Sequence, residues 1–394
     1  MSFFYEIKIG ESTKAIDVSD SVIDGIRITN GRENLLEPLA QTSATFSVFK
    51  EKFYAIYAAV TGSPNPNQAS LGAVVTIKDV TSSKLWFFGR ISDQSSDADT
   101  ITFTLIDDGI FRLSAAPALI SDATGTWSDY IISLLSAGIP NITFTPASVD
   151  FENNLADPDG KTVRRFDKTV TNRLQEVRDV IGSNPTAFGY FFPNDGLIVY
   201  DRLNSPISAV DTLTDTDIIK TYSIRRSLSD IVNDVQITYP DASNNTVTWT
   251  TGNLTSLTEI GPRSQSRSTL LTNDTDANEV AKALLAAGAP FGWPVVRCTT
   301  NSFVLGYTAA QMRDNLKPNS VLDCSAVTVE GFDKYMYVEQ VTYTLNRTII
   351  DAELILSSSQ YSTNPQLWNQ VTGTTEWGDV GATVTWDDLL FNRL

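Results

Sequence analysis

Residues 26–49 read IRITNGRENLLEPLAQTSATFSVF. Ile26 and Ile28 alternate with Arg27 and Thr29, and Ala44, Phe46 and Val48 alternate with Thr45, Ser47 and Phe49. A period of two sends successive side chains to opposite faces, so both runs read as half-buried strands. Asn30-Gly31 is a turn dipeptide between them, followed by Arg32 and a polar connection. The same texture extends in both directions. Phe4, Glu6 and Lys8 alternate with Tyr5, Ile7 and Ile9, and Val74–Val80 leads through Thr81-Ser82-Ser83-Lys84 into LWFFGRIS at 85–92. After an Asp-rich loop at 93–99, Ile101, Phe103 and Leu105 share one face. Five or six short strands joined by polar turns predict a small closed or nearly closed antiparallel β-barrel domain over residues 1–116.

The periodicity then changes. TWSDYIISLLSAGIP places Trp127, Ile131, Leu134 and Leu135 on one helical face, with Thr126 and Asp129 spaced for a capping box. TVTNRLQEVRDVIG, at 169–182, carries the stripe Val170, Leu174, Val177, Ile181 and stops at Gly182. GYFFPNDGLIVYDR follows as a hairpin around Pro193–Gly196. Residues 117–206 therefore read as a small α/β domain.

Strand texture returns at 207. DVQITYP and TVTWT precede a helix predicted at Asp276–Ala287, with Asp276 and Glu279 as its capping box and Val280 and Leu284 inward. A shorter helix, Thr308–Leu316, has the same device in Thr308 and Gln311. VLDCSAVTV, YVEQVTYTL and TIIDAELIL are strands again. The expectation is a second β-barrel domain over 207–358, with an α/β insertion at about 270–317. Residues 359–394 differ: Trp368, Trp377 and Trp386 recur every nine residues among Thr, Gly, Asn and Asp. These tryptophans either pack on their own chain or anchor a neighbouring subunit. The fold class is β-rich α+β, two antiparallel barrels with interspersed small α/β units.

Composition narrows the chemistry. The chain has 394 residues, 42% hydrophobic and 10% aromatic, enough for two to four packed domains. A net charge of −17 opposes binding to nucleic acid or anionic lipid, which runs on Lys and Arg. There is no histidine, which removes Ser-His-Asp and Cys-His nucleophile systems and helix-borne zinc motifs. No phosphate-binding glycine loop occurs. A carboxylate-pair hydrolase survives on inventory, but Asp107-Asp108 and Asp387-Asp388 are adjacent, and adjacent strand residues point apart. DPDG at 157–160 and the spaced Asp211, Asp215 and Asp217 match no twelve-residue calcium loop. Turn chemistry accounts for DPDG. No metal, cofactor or catalytic residue is expected. Cys298 and Cys324 form no framework; buried thiols are the default reading, a single bridge the alternative. The N-terminal MSFFYEIKIGESTK reads as a strand rather than a secretory signal, and no run is long enough to serve as a membrane anchor.

The order of parts resembles the bacteriophage tail hub or baseplate hub proteins, the siphophage minor tail protein family. The resemblance rests on VIDGIRITNGRENLLEPLAQTSATFSVF, LWFFGRISD, ITFTLIDDGIFRLSAA, NRLQEVRDVIGSNPTAFGYFFPNDGLIVYDR, EVAKALLAAGAPFGWPVV and YVEQVTYTLNRTIIDAELILSS, taken in that order over most of residues 1–358. It implies a non-enzymatic virion protein at the tail tip, assembled in the host cytoplasm. Three subunits with two barrels each would form a ring that adapts a sixfold tube to a threefold tip. The implied partners are a distal tail or tail-tube protein above and a tail-tip, spike or fibre protein below. DNA would pass through without specific binding. On this reading Asp93, Asp97 and Asp99 are candidates for the channel surface, and Arg32, Trp368, Trp377 and Trp386 for the subunit interface, with Arg32 seeking a carboxylate. The hexameric distal tail protein is the nearest alternative. A secreted carbohydrate-binding β-protein and a carboxylate-type cell-wall hydrolase are the alternatives from other classes.

Overall fold

The computed structural model describes residues 5–358, apart from intervals of which the longest are 62–70, 135–148, 152–161, 165–171, 202–208 and 288–294. Strands β1 (Tyr5–Ile9), β2 (Ile16–Asp17), β3 (Val22–Gly31), β4 (Leu39–Ala40) and β5 (Ser43–Phe49) lead to helix α1 (Lys50–Thr61). Strands β6 (Val74–Asp79), β7 (Leu85–Ser96) and β8 (Thr100–Asp107) lead to α2 (Asp108–Ala115). Next come β9 (Thr124–Thr126), β10 (Val149–Phe151), β11 (Thr162–Arg164), α3 (Arg173–Gly182), β12 (Ala187–Phe192) and β13 (Gly196–Asp201). Strands β14 (Ala209–Thr214), β15 (Ser223–Arg225), β16 (Asp234–Pro240), β17 (Thr246–Gly252) and β18 (Ser264–Ser268) precede α4 (Asp274–Ala287). The described chain closes with β19 (Val295–Asn301), α5 (Ala309–Asn315), β20 (Val321–Ala326), β21 (Tyr335–Leu345) and β22 (Ile350–Ser358).

The β-rich reading holds, and the two strand-rich regions are one sheet. Among the described residues thirteen strands join in the order β15-β19-β22-β21-β3-β5-β8-β7-β6-β1-β2, with β20 on β21 and β14 on β20. The link is β3 against β21, antiparallel from Ile26↔Leu345 to Gly31↔Gln340. The other end of the same edge of β21 pairs with β20, from Tyr335↔Asp323 to Tyr337↔Val321 by way of Met336↔Leu322. One strand edge thus serves both halves. A single hydrophobic cluster runs beneath them, in which Trp86 of β7 meets Tyr343 of β21 edge to face, ring centroids 5.0 Å apart.

Residues 173–201 fold as read: α3 is capped by Asn172, whose side chain accepts from Gln175 N at 3.0 Å, and buries Leu174, Val177 and Ile181. The β12–β13 hairpin pairs Phe192 with Gly196 at its end. Ile131 and Leu134 from the earlier apolar stripe are buried in the same cluster. Of the capping box read at Thr126 and Asp129, Thr126 ends β9 and Asp129 lies outside the described residues.

The strands at 234–240 and 246–252 differ from their reading. They form a separate sheet, β17-β16-β18, whose apolar face is covered by α4 through Val280, Ala281 and Leu284. The α/β insertion therefore begins near 232 and ends with α4. Helix α5, by contrast, joins the main core through Ala309 and Met312. It has the capping box read from Thr308 and Gln311. Helix α4 starts two residues earlier than read, because Asn273 Oδ1 accepts from Asp276 N at 2.9 Å and takes the capping role.

Candidate functional site

The opening stretch builds the joint of the molecule. At the end of β3, Gly31 has φ +99°, and a Cβ there would lie 2.1 Å from the Glu339 carbonyl oxygen. Only glycine combines that conformation with so close an approach. The turn delivers Arg32 across β21. Its backbone N–H donates to Glu339 O at 2.8 Å, and its Nε donates to Glu339 Oε2 at 2.9 Å. Arg32 is 6% exposed and Glu339 0%. Arg32 Nη1 donates to Glu37 O, and the guanidinium lies 4.3 Å from the centroid of Phe188. Ser357 Oγ donates to the other carboxylate oxygen of Glu339.

From there the chain leaves the main sheet. Leu39-Ala40 pairs in parallel with Gly189-Tyr190 of β12, making the fourth strand of the sheet β10-β13-β12-β4, and then returns as β5. Phe188, Tyr190 and Phe192 alternate along one face of β12 and meet ring to ring, with centroids 5.8 and 6.0 Å apart. Arg32 covers the first ring. Arg313 of α5 covers the last, 4.1 Å from its centroid, and donates to Pro193 O at 3.0 Å. Arg32, just past β3, and Arg313, on α5, thus hold the aromatic face of the α/β unit.

A third contact lies at α2. Asp107 ends β8 and caps α2, its Oδ1 accepting from Gly109 N at 2.7 Å and Ile110 N at 3.3 Å. Burial pushes its carboxyl up to about 7, against those hydrogen bonds and with help from the charge of Asp108. Asp108 is ion-paired with Arg90 at 2.6 Å and Arg112 at 2.7 Å. The pair is therefore structural, a cap and an arginine clamp, and offers no open carboxylate dyad. Asp387-Asp388 and DPDG lie outside the described residues. Asp211, Asp215 and Asp217 bond separately to Asn315, Thr328 and Thr214, and no group of metal-ligating side chains converges among the described residues.

Arg32 meets a carboxylate within its own chain, Glu339, and the pair is buried. Asp93, Asp97 and Asp99 are all exposed, on β7 and its turn into β8. Hydrogen bonds from the Thr100 hydroxyl and the Thr100 and Asp99 amides hold the Asp97 carboxyl below its ordinary range, so it stays ionised. Trp368, Trp377 and Trp386 lie outside the described residues. Sequence reasoning missed Glu339 and Arg313; the signal available for their partner surface was the alternation Phe188, Tyr190, Phe192. Cys298 and Cys324 are both buried and free, and burial raises the Cys298 thiol to about 12. The folded chain should accordingly resist thiol alkylation at pH 8 and react at two sites only in denaturant, as mass spectrometry would count.

Among the described residues no helix is long and apolar enough to cross a membrane. No protein-family model and no curated protein matches the chain. Solved structures do. The tail protein from Neisseria meningitidis MC58 aligns over 90% of this chain and 96% of its own, with TM-score 0.59 and 16% identity. The 43 kDa tail protein of prophage MuSo2 from Shewanella oneidensis aligns over 92% and 98%, with TM-score 0.58 and 15% identity. The E. coli c3393 protein is a type VI secretion component described as similar to the T4 tail proteins gp27 and gp5. It aligns over 91% of this chain and 78% of its own, with TM-score 0.50 and 8% identity. The fold of this chain is that of phage tail and baseplate-hub-like proteins, as the sequence resemblance implied. At such identities the likeness is one of fold.

Proposed function

We propose that this chain is a non-enzymatic virion protein of the tail tip, a hub whose three copies close into a ring coaxial with the tail tube. The observation that carries this reading is the shared sheet. Residues 5–107 contribute seven strands and residues 209–358 six, joined edge to edge through β3 and β21. Two such halves per chain give six around a threefold axis, which suits a sixfold tube above and a threefold tip or spike below. The joint keeps both halves and the α/β unit in one fixed relation, as a ring segment requires. Light scattering on the purified chain, alone and mixed with its tube-side neighbour, tests the assembly. Three chain masses in either sample supports the hub. Six moves the assignment to a distal tail ring, and one in both samples removes it. Peptidoglycan zymography tests the hydrolase alternative.

The acidic turn of β7–β8 fits a channel wall that repels DNA. Asp93→Lys with Asp99→Lys keeps Asp97, which organises the turn, and reverses two charges. The assembled double variant should gain DNA binding that fades between 50 and 200 mM salt, roughly as its added cations predict. Unchanged binding would take these residues off the channel surface.

A further inference from the structure

Strand β17 is an edge. Among the described residues it pairs only with β16, in unbroken register from Thr246↔Pro240 to Gly252↔Asp234. An edge strand presents alternate backbone N–H and C=O groups to any chain able to pair with them. Proteins blunt such edges with charge, proline, bulges or shortness. The opposite edge, β18, is five residues long and carries Arg267. β17 has seven residues, TVTWTTG, with no charge and no proline. Val247 and Trp249 pack against the cluster under α4, while Thr246, Thr248 and Thr250 are exposed.

The same four residues occur once more in the chain: Thr246-Val247-Thr248-Trp249 recurs as Thr383-Val384-Thr385-Trp386. We propose that the chain's own segment Ala382–Asp387 adds to the free edge of β17 as an antiparallel strand. One register satisfies both sequences. It sets Val384 opposite Trp249, Thr385 opposite Thr248 and Trp386 opposite Val247. Residues directly opposite share a face. The valine and tryptophan therefore extend the apolar face over α4, and the threonines stay outside. Two aromatic–β-branched pairs and a threonine pair are favourable cross-strand contacts. A shift of one residue would put Trp386 among the threonines. Asp387-Asp388 supplies the charge that β17 lacks, at the place where the added strand must stop. The 23 residues between Ser358 and Ala382 reach at most ~80 Å, several times the spacing of neighbouring elements. A tether of that length gives an effective concentration of order millimolar, which favours the chain's own segment over one from a second copy.

Hydrogen exchange on the full-length chain tests this, at two protein concentrations with mass measured in parallel. In the wild type, β17 amides facing away from β16 should be protected. Val384→Pro with Thr385→Pro removes the central donor of the added strand whichever alternate set of its amides faces β17, and should speed exchange of those β17 amides at least ~10-fold, with β16 and β18 unchanged. Trp386→Ser, which leaves the backbone intact, should give a smaller change in the same direction and serves if the proline variant does not fold. A synthetic ATVTWD peptide at millimolar concentration should restore protection to the proline variant. Equal exchange of β17 in wild type and both variants would overturn the proposal. So would protection that appears only as the mass rises with concentration, which would make the occupant a second copy.

Discussion

Arg32→Leu should destabilise the chain by about 3–5 kcal/mol, read as a lower urea midpoint at unchanged slope. The cause is what it leaves behind. Glu339 is fully buried, and its carboxylate accepts from Ser357 Oγ and from the Arg32 guanidinium. Removing one partner of a buried ion pair strands the other charge in a medium that cannot solvate it. Arg32→Leu with Glu339→Leu should recover much of the loss, because two apolar groups need no solvation there. Glu339→Gln alone should cost less than Arg32→Leu, since a neutral amide still accepts from Arg32. A cost below about 1 kcal/mol for Arg32→Leu would mean that water reaches the pair, and the joint would not be the buried clamp described. Gly31→Ala makes an independent check on the same place. Its methyl would have to displace the backbone of β21 at a φ of +99°, so it should impair folding at least as much as loss of the arginine.

These residues also mark how far the sequence could be read. Alternation in 26–31 and 43–49 gives the strands and the faces they bury, because period is a local property. It does not give partners. β3 pairs with β21 some 300 residues away, and which apolar-faced strand lies beside another depends on packing of the whole core. The polar run after Arg32 reads as a connection. Two of its residues form β4, a strand too short for any period and defined only by β12 beside it. The helices show the same division. Thr308 and Gln311 announce α5 because a capping box is completed within four residues. The insertion was displaced because β16 and β17 alternate like any other half-buried strands, and only α4 lying over them sets them apart from the main sheet. Arg32 itself was legible as an arginine in need of a carboxylate, but the burial that makes the pair structural belongs to the fold.

Asp107→Asn should stabilise the chain by about 2–4 kcal/mol at pH 8 and by little below pH 4. Asparagine caps a helix as well as aspartate does, so Gly109 and Ile110 keep their acceptor. What changes is the cost of a buried charge. Burial pushes the folded carboxyl up to about 7 from its ordinary 3.8, so between those values the folded chain holds a proton that the unfolded chain has lost. By linkage, the stability conferred by that proton is complete below the unfolded value. It declines as pH rises and is gone above the folded value. The variant carries no such dependence. The quantity to plot is therefore the difference in unfolding free energy, variant minus wild type, from pH 4 to pH 8. The difference cancels every other titrating group common to both chains. It should rise steadily and flatten near pH 7, with a slope approaching 1.4 kcal/mol per pH unit in mid-range. Asp108 is the charged neighbour on the cap, and Arg90 and Arg112 bind Asp108 rather than Asp107, so neither arginine should suppress the effect. A difference that stays flat across the range would mean that the helix N-terminus keeps Asp107 ionised at low pH despite its burial. A falling difference would mean that the charge stabilises the fold, and that the end of β8 is solvated.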